Sequence, residues 1–381
     1  METILMDGSR WRRTVYACMN GHAAPSVWMT LGLAPLWLAS HLYRGVSVGH
    51  YVSYTYGMRR SKQLPCRVIS IGNLTLGGTG KTPLTMWMAR WYQEQGWRVV
   101  VLSRGYGAQP ATPFRVVSTG DGPLLDWRKV GDEPYLLAQS LPGIPVLIGR
   151  NRYLSGCYAC DQFGAQVVIL DDGFQHYALR RDLDVVLVDA SNPFGHGTLF
   201  PRGILREPLR ALRRADAIVL TRVHMAGQTL ASLCRQIRCW NARQPIYYMT
   251  TVAEALYQRG ASVPTGTSYL SGRRVVAFAA IGNPRAFTTT LAQLGGEVVA
   301  LMAFPDHHPY TYEDWQAIVD LADRWQVECL VTTEKDAVRL APDWQASMPV
   351  YALRIGVRFV RDYPSLQQPL QALMHHAKTR K

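Results

Sequence analysis

Residues 67–82 read Arg67-Val-Ile-Ser-Ile-Gly-Asn-Leu-Thr-Leu-Gly-Gly-Thr-Gly-Lys-Thr82. The first half is an apolar run suited to a buried strand; Gly77, Gly78 and Gly80 then supply backbone freedom for a tight turn, and Lys81 and Thr82 open a helix. A strand, glycine loop and helix in this order aim consecutive backbone N–H groups at one point, where the positive end of the helix dipole joins them. The result is a seat for the phosphates of a nucleotide, built from Thr75, Leu76, Gly77, Gly78, Thr79, Gly80, Lys81 and Thr82. In that reading Lys81 reaches the outer phosphates and the Thr82 hydroxyl binds a magnesium ion. The full phosphate-loop pattern has glycine six positions before the lysine, where this chain has Thr75.

Downstream, helical periodicity from Pro83 to Gln95 stops at Gly96, and Trp97 to Leu102 forms a strand that ends in Ser103-Arg-Gly-Tyr-Gly107. Ligands of a parallel α/β sheet sit beyond the carboxyl ends of its strands, so Arg104 is expected to line the phosphate cleft. Val130-Gly-Asp-Glu-Pro134 opens a helix, with Asp132 and Glu133 where a helix N-terminus favours carboxylates; a plain cap is the simpler reading of Asp132. Pro145 to Ile148 is a further strand, and Val167-Val-Ile-Leu-Asp-Asp-Gly-Phe-Gln-His176 delivers Asp171 and Asp172 at a strand end. That is where a carboxylate joins the magnesium shell of a phosphate-loop enzyme. Asp184 to Asp189 and Ala217 to Leu220 complete a sheet of about six strands.

A hydrophilic, glycine-containing stretch at about 259–272 links to a second unit with strands at 274–279, 297–301 and 329–332 and a helix from about Thr311. The expected fold is α/β: a phosphate-loop NTPase-like, mostly parallel sheet sandwiched by helices (63–258), a smaller α/β domain (259–381) and an N-terminal segment (1–62). From Thr14 to Tyr43 there is no Asp, Glu, Lys or Arg. The apolar centre, Val27 to Ser40, is interrupted by Pro35 and falls short of the ~20 residues a spanning helix needs. Arg10, Arg12 and Arg13 precede it, Arg44, Arg59, Arg60 and Lys62 follow, and Trp28, Trp37 and Tyr43 are aromatics of the headgroup boundary type. A helix lying in or dipping into a membrane is expected; a core helix is the alternative.

The net charge of +14, from 41 Lys and Arg against 27 Asp and Glu, suits a polyanionic partner: nucleic acid, an acidic membrane surface or a phosphorylated substrate. No run of like charges forms a nucleic-acid-binding tail, and no nucleic-acid partner is expected. Seven cysteines spread over 381 residues form no disulfide framework and point to a reducing compartment. Cys157 and Cys160 lack a second pair at zinc spacing and read as buried or half-buried thiols.

A nucleotide with magnesium leaves three classes: a small-molecule or lipid kinase, a nucleotide switch, and a motor or transport ATPase. A switch requires Asn-Lys-x-Asp, but in Thr333-Glu-Lys-Asp336 the lysine is one place late, and Leu170 stands where Asp-x-x-Gly would need its aspartate. A kinase also needs an acceptor surface, a base near the acceptor hydroxyl and cations around the transferred group.

Taken in order, IGNLTLGGTGKTP (71–83), SRGYG (103–107), GDEP (131–134), NR (151–152), LDDGFQH (170–176), LREP (205–208), IGNP (281–284), PDHH (305–308) and TEKDAV (333–338) resemble the tetraacyldisaccharide 4'-kinase family of lipid A biosynthesis. The resemblance covers about Leu33 to Arg339, and LAPLWLASHLY (33–43) is similar to that family's membrane-associated helix. It implies ATP- and magnesium-dependent phosphorylation of the 4'-hydroxyl of a tetraacylated glucosamine disaccharide 1-phosphate at the cytoplasmic face of the inner membrane. It implies that Asp132 is the catalytic base and that His307 pairs with it. Asp171, Asp172 and Glu207 would serve the metal and its hydrogen-bond network, and Arg152 and Arg206, with Arg104 beside them, would meet phosphate groups. The chain departs from the family at Phe200-Pro-Arg-Gly-Ile204 and at His196. Because Asp132 and His307 fall in different expected domains, a hinge is expected at about 259–272.

Overall fold

The computed structural model describes residues 1–6, 19, 33–109, 113–226, 230–261, 263–361 and 370–371. Its strands are β1 (Glu2–Leu5), β2 (Arg67–Asn73), β3 (Val99–Ser103), β4 (Arg115–Ser118), β5 (Val146–Ile148), β6 (Val167–Asp171), β7 (Leu183–Asp189), β8 (Ala217–Thr221), β9 (Ile246–Gln258), β10 (Pro264–Thr265), β11 (Arg274–Ala279), β12 (Glu297–Ala303), β13 (Cys329–Thr333) and β14 (Val350–Arg361). Its helices are α1 (Ala34–Thr55), α2 (Lys81–Glu94), α3 (Trp127–Val130), α4 (Asp132–Ser140), α5 (Arg152–Phe163), α6 (Leu230–Trp240), α7 (Pro284–Gln293), α8 (Tyr312–Trp325) and α9 (Glu334–Ala337).

The strands form one mixed, mostly parallel sheet, ordered β1-β12-β11-β13-β14-β9-β8-β7-β2-β6-β3-β5-β4, with β10 on β9. The six strands read from the sequence of the first half, β8, β7, β2, β6, β3 and β5, are all parallel, and β4 closes that edge antiparallel to β5. Their near-continuous Val, Ile and Leu content follows from helices covering both faces. Strands β1, β12, β11, β13 and β14 form a second parallel set. The two sets are joined by the antiparallel β9–β14 ladder, from Tyr351 opposite Gln258 to Arg361 opposite Tyr248. Segment 259–272 contains β10 and a 3-10 turn, Thr267–Leu270.

Each half has its own core. Ile69, Ile71, Leu84, Val101 and Val146 pack between the first set of strands and its helices, and Phe278, Trp315, Ile318 and Leu330 pack in the second. The carboxyl end of the chain crosses back, placing Phe359 and Leu370 in the first core, with the Phe359 ring 5.0 Å from Trp87. Strand β1 adds to the far edge of the second set.

Helix α1 buries only Ser40 among its residues. Tyr43, His50, Tyr51 and Tyr54 lie against Phe200, Tyr177 and Arg214, while Trp37, Leu38, Leu42 and Val46 are exposed. Among the described residues, one side of α1 therefore packs on the body of the protein and the other, with Trp37, Leu38, Leu42 and Val46, is left uncovered. Among the described residues no helix is long and apolar enough to cross a membrane. Residues 27–32 of the apolar stretch, with Trp28, and Arg10, Arg12 and Arg13 lie outside the described residues. Cys157 and Cys160 are free and half-buried, as read from their spacing.

Candidate active site

Strand β2 leads through 74–80 into α2. Gly77 and Gly80 take φ of 99° and 90°, backbone that only glycine adopts readily. Thr75, at the position where the motif would have glycine, needs no such freedom. It is buried in an extended bridge to Leu205, which a β-branched residue suits. The loop is further held by Leu76 N–H on Ile204 O (2.7 Å) and by Asn73 Nδ2 on Thr79 Oγ1 (2.9 Å). Gly80 caps α2 with no side-chain hydrogen bond, so the helix N-terminus is left for another acceptor, and Cβ atoms at Gly77 and Gly78 would meet nothing within 4 Å. Thr82 is half-buried in the first turn of α2. Gly72 has a different reason to be glycine: a Cβ there would lie 2.5 Å from that of Phe174.

Strand β6 pairs with β2 and brings Asp171 and Asp172 beside the loop. Lys81 Nζ is 3.7 Å from Asp172 Oδ1, and Arg206 Nη1 donates to both Asp172 oxygens at 2.8 Å. Burial alone would raise the Asp172 carboxyl, but Lys81, Arg206 and Arg152 together pull it down to about 2. Asp171 is fully enclosed and accepts from Thr85 Oγ1 at 3.1 Å. Burial, then the nearby charges of Glu133 and Asp172, push it up to about 7. Such a carboxylate is short of positive charge, the condition that a divalent cation meets. Among the described residues no three His, Cys, Asp or Glu side chains converge on a metal position. A magnesium ion here would draw on a hydroxyl, one or two carboxylates, phosphate oxygens and water.

Two expected site residues, Glu207 and Arg152, are engaged by groups of the protein itself. Glu207, expected beside the metal, has both oxygens occupied: Arg214 grips them at 2.8 and 3.0 Å, and Tyr177 OH donates at 2.6 Å. The Arg152 guanidinium is buried under the acidic turn, with Nη2 3.2 and 3.4 Å from the carbonyl oxygens of Asp171 and Asp172. It orients that turn rather than facing open space. Arg104 is exposed, and its charge is felt at Arg152 and His176.

The opposite wall draws on both halves, Asp132 coming from the first and His307 from the second. Asp132 opens α4 behind Gly131, whose φ is 91° and whose Cβ would strike Tyr106 O at 2.6 Å. The Asp132 side chain is buried, and its Oδ2 lies 2.8 Å from His307 Nδ1. Burial opposes its ionisation, but the His307 hydrogen bond, with Lys335 and Arg339, lowers the carboxyl to about 2. His307 sits at φ 62°, and its pKa is raised chiefly by the hydrogen bond to Asp132. A Cβ on Gly282 would lie 3.6 Å from Gly78 N and 3.9 Å from Asp306 Oδ2, so the 281–284 turn joins the glycine loop to the His307 segment. The glycine loop, the acidic turn and the Asp132–His307 pair therefore share one cleft.

Several residues there were not singled out by sequence reasoning. Lys335 Nζ contacts Glu133 Oε1 (3.2 Å) and His307 Nε2 (3.1 Å); its signal, a lysine inside TEKDAV, was set against a guanine-reading motif and counted toward the family resemblance, with no role given to the lysine itself. Arg222, at the end of β8, donates to Gly78 O at 2.7 Å and pairs with Asp189; nothing in the sequence ties either to the loop. The Tyr106 ring lies 6.1 Å from that of His307.

A family model described as tetraacyldisaccharide-1-P 4'-kinase matches residues 33–375. The tetraacyldisaccharide 4'-kinase of Syntrophus aciditrophicus is 43% identical over 312 residues, 80% of this chain and 83% of that one. The enzyme of that name from Desulfatibacillum aliphaticivorans is 39% identical over 358 residues, 92% and 95% of the two chains. The crystal structure of the "apo" form of LpxK from Aquifex aeolicus in complex with ATP superposes with a TM-score of 0.71 at 32% identity, over 91% of this chain and 98% of that one. On its sequence and its fold, the chain belongs to the tetraacyldisaccharide 4'-kinase family.

Proposed function

We propose that the cleft transfers the γ-phosphoryl group of ATP to the 4'-hydroxyl of a tetraacylated glucosamine disaccharide 1-phosphate, in lipid A biosynthesis. The observation that carries this is the approach of the 281–284 turn to both Gly78 and Asp306, which sets a base opposite a phosphate seat. The backbone N–H groups of the glycine loop and the start of α2 hold the phosphates, and Lys81 offsets charge on the transferred group. Thr82, Asp171 and Asp172 would hold magnesium, which when bound neutralises charge on the phosphate oxygens. Arg206 keeps Asp172 ionised and in place, with Arg104 free to meet an acceptor phosphate. Asp132 takes the proton from the acceptor hydroxyl as its oxygen attacks, and the hydrogen bonds from His307 Nδ1 and the Glu133 N–H aim the carboxylate.

The acceptor is a lipid, and α1 offers a way to reach it. Its exposed Trp37, Leu38, Leu42 and Val46 would sink into the boundary of the cytoplasmic leaflet of the inner membrane, with Arg44, Arg59 and Arg60 at the acidic headgroups. The opposite side of α1 rests on the loop bearing Arg206, through Tyr43 OH on Arg206 O at 3.0 Å. A membrane-docked helix would thereby abut the site directly.

The test is incubation of the purified protein with ATP labelled at the γ-phosphate, magnesium and a tetraacylated disaccharide 1-phosphate in detergent micelles. Label in the lipid fraction is expected. Label found only as free phosphate would mark an ATPase or switch instead.

A further inference from the structure

The ammonium group of Lys335 lies 3.1 Å from His307 Nε2, 3.2 Å from Glu133 Oε1 and 3.6 Å from Asp306 Oδ1. The reaction as derived above does not use it. Its place is set by a stiff turn: Thr333 caps α9, accepting from Asp336 N–H at 3.1 Å and donating to Asp336 Oδ2 at 2.6 Å. Asp336 is wholly buried and also accepts from Ala280 N–H (3.0 Å) and Tyr310 OH (3.1 Å), which locks α9 to the 281–284 turn.

We infer that Lys335 is a positioning residue for the base: by donating to His307 Nε2 it holds the ring in the neutral Nδ1–H form, leaving Asp132 free to take the acceptor proton. The ring has two nitrogens and two neighbours. Nδ1 faces Asp132 Oδ2, an acceptor, and Nε2 faces Lys335 Nζ, a donor. A second proton on Nε2 would set two cations 3.1 Å apart, and the resulting imidazolium would neutralise the carboxylate and lower its basicity.

The charged and titratable groups around His307 divide in sign. Asp132 and Glu133 on α4 and Asp306 beside it, at 3.9 Å from Nε2, favour the second proton. Lys335 and Arg339 oppose it, but Arg339 is engaged by Asp336 and by His308 O at 2.9 Å, and it faces Asp132 at 3.9 Å. The phenol of Tyr106 stands beyond the ring. Lys335 alone among them reaches Nε2 within hydrogen-bond distance. Its three N–H donors face Glu133, His307 and Asp306, which leaves none turned to a phosphate. The lysine also spans the two halves of the molecule, joining α4 to α9 and the His307 segment, so the base is complete only when the halves meet.

This inference rests on the assignment of Asp132 as base, but its first test does not depend on turnover. In full-length protein carrying 15N-labelled histidine, the His307 ring is expected to titrate about one unit or more higher in Lys335→Met than in wild type, the size of an adjacent-charge effect. The second test is kinetic. Lys335→Met should lower kcat about tenfold at neutral pH, move the acid limb of its pH profile up by the same interval and leave the KM for ATP within twofold. Added to His307→Ala, it should cost little more, because the two act through one ring. An unmoved ring titration, full additivity with His307→Ala, or a KM for ATP that rises with the loss in kcat would each overturn the inference. Lys335→Gln, an uncharged donor, repeats the measurement if the methionine variant unfolds. Wild-type protein that fails to phosphorylate the lipid would sink the kinase reading while the ring titration still decides the role of Lys335.

Discussion

At the scale of single residues, the site depends on how two carboxylates are treated differently. Asp132 is held ionised by a hydrogen-bonded imidazole and two nearby cations, whereas Asp171, enclosed and facing other carboxylates, keeps its proton more strongly. Asp132→Asn leaves the phosphate seat intact, so it should cut kcat by ~10²–10⁴-fold with little change in the KM for ATP. Lys81→Ala should instead impair the handling of ATP itself, and near-normal turnover by Asp132→Asn would remove Asp132 as the base.

The pH dependence has a definite sign. The His307 pKa is raised above 6.5, mainly by the bond to Asp132. Below it the imidazolium saturates the carboxylate; above it the neutral ring leaves Asp132 basic, so kcat should rise through a midpoint above 6.5. His307→Ala should abolish that limb along with most of the activity. Of this chemistry, Asp132 and Asp171 were legible as carboxylates at element ends. The chain pattern alone could not show that Glu207 is paired with Arg214 and hydrogen-bonded by Tyr177, because those contacts depend on how the turn bearing Tyr177 packs on the 199–214 segment.

At the scale of elements, strand periods marked β2, β3, β5, β6, β7, β8, β11, β12 and β13 to within a residue or two, since buried parallel strands are unbroken apolar runs. Thr311 with Asp314 forms the capping box that starts α8 where the pattern put it. Strands β1, β4, β9, β10 and β14 were not singled out. Strand β9 is only partly buried and lacks clean alternation; β14 alternates apolar residues with Arg354 and Arg358, a signal that was present and unused.

Two element-scale outcomes can be measured. Gly72→Ala would force a methyl against Phe174 at the base of the glycine loop, and should cost ~1–3 kcal/mol in an unfolding titration. An unchanged midpoint would show that β2 and the 171–176 turn are not in close contact. On α1, Leu38→Glu with Leu42→Glu should abolish sedimentation with anionic phospholipid vesicles while preserving turnover in micelles; retained vesicle binding would place the membrane contact elsewhere.

At the scale of the whole molecule, one sheet carries both cores, and Phe359 inserts the last strand of the second half into the first core. We expect the halves to remain separate working units that hinge near 259–272 and the β9–β14 ladder, with Asp132 and His307 in contact as here in the closed arrangement. A distance probe on the two halves should report a shift toward that arrangement on addition of ATP and magnesium; a distance unaltered by nucleotide would argue for a rigid body.

The central claim is transfer to one particular hydroxyl. The most direct measurement is 31P–1H correlation spectroscopy of the lipid isolated after reaction with ATP and magnesium. A new phosphorus coupled to H4' of the distal glucosamine, beside the original anomeric phosphate, is predicted. A new phosphate at any other carbon, or a lipid unchanged while ATP is consumed, would contradict it.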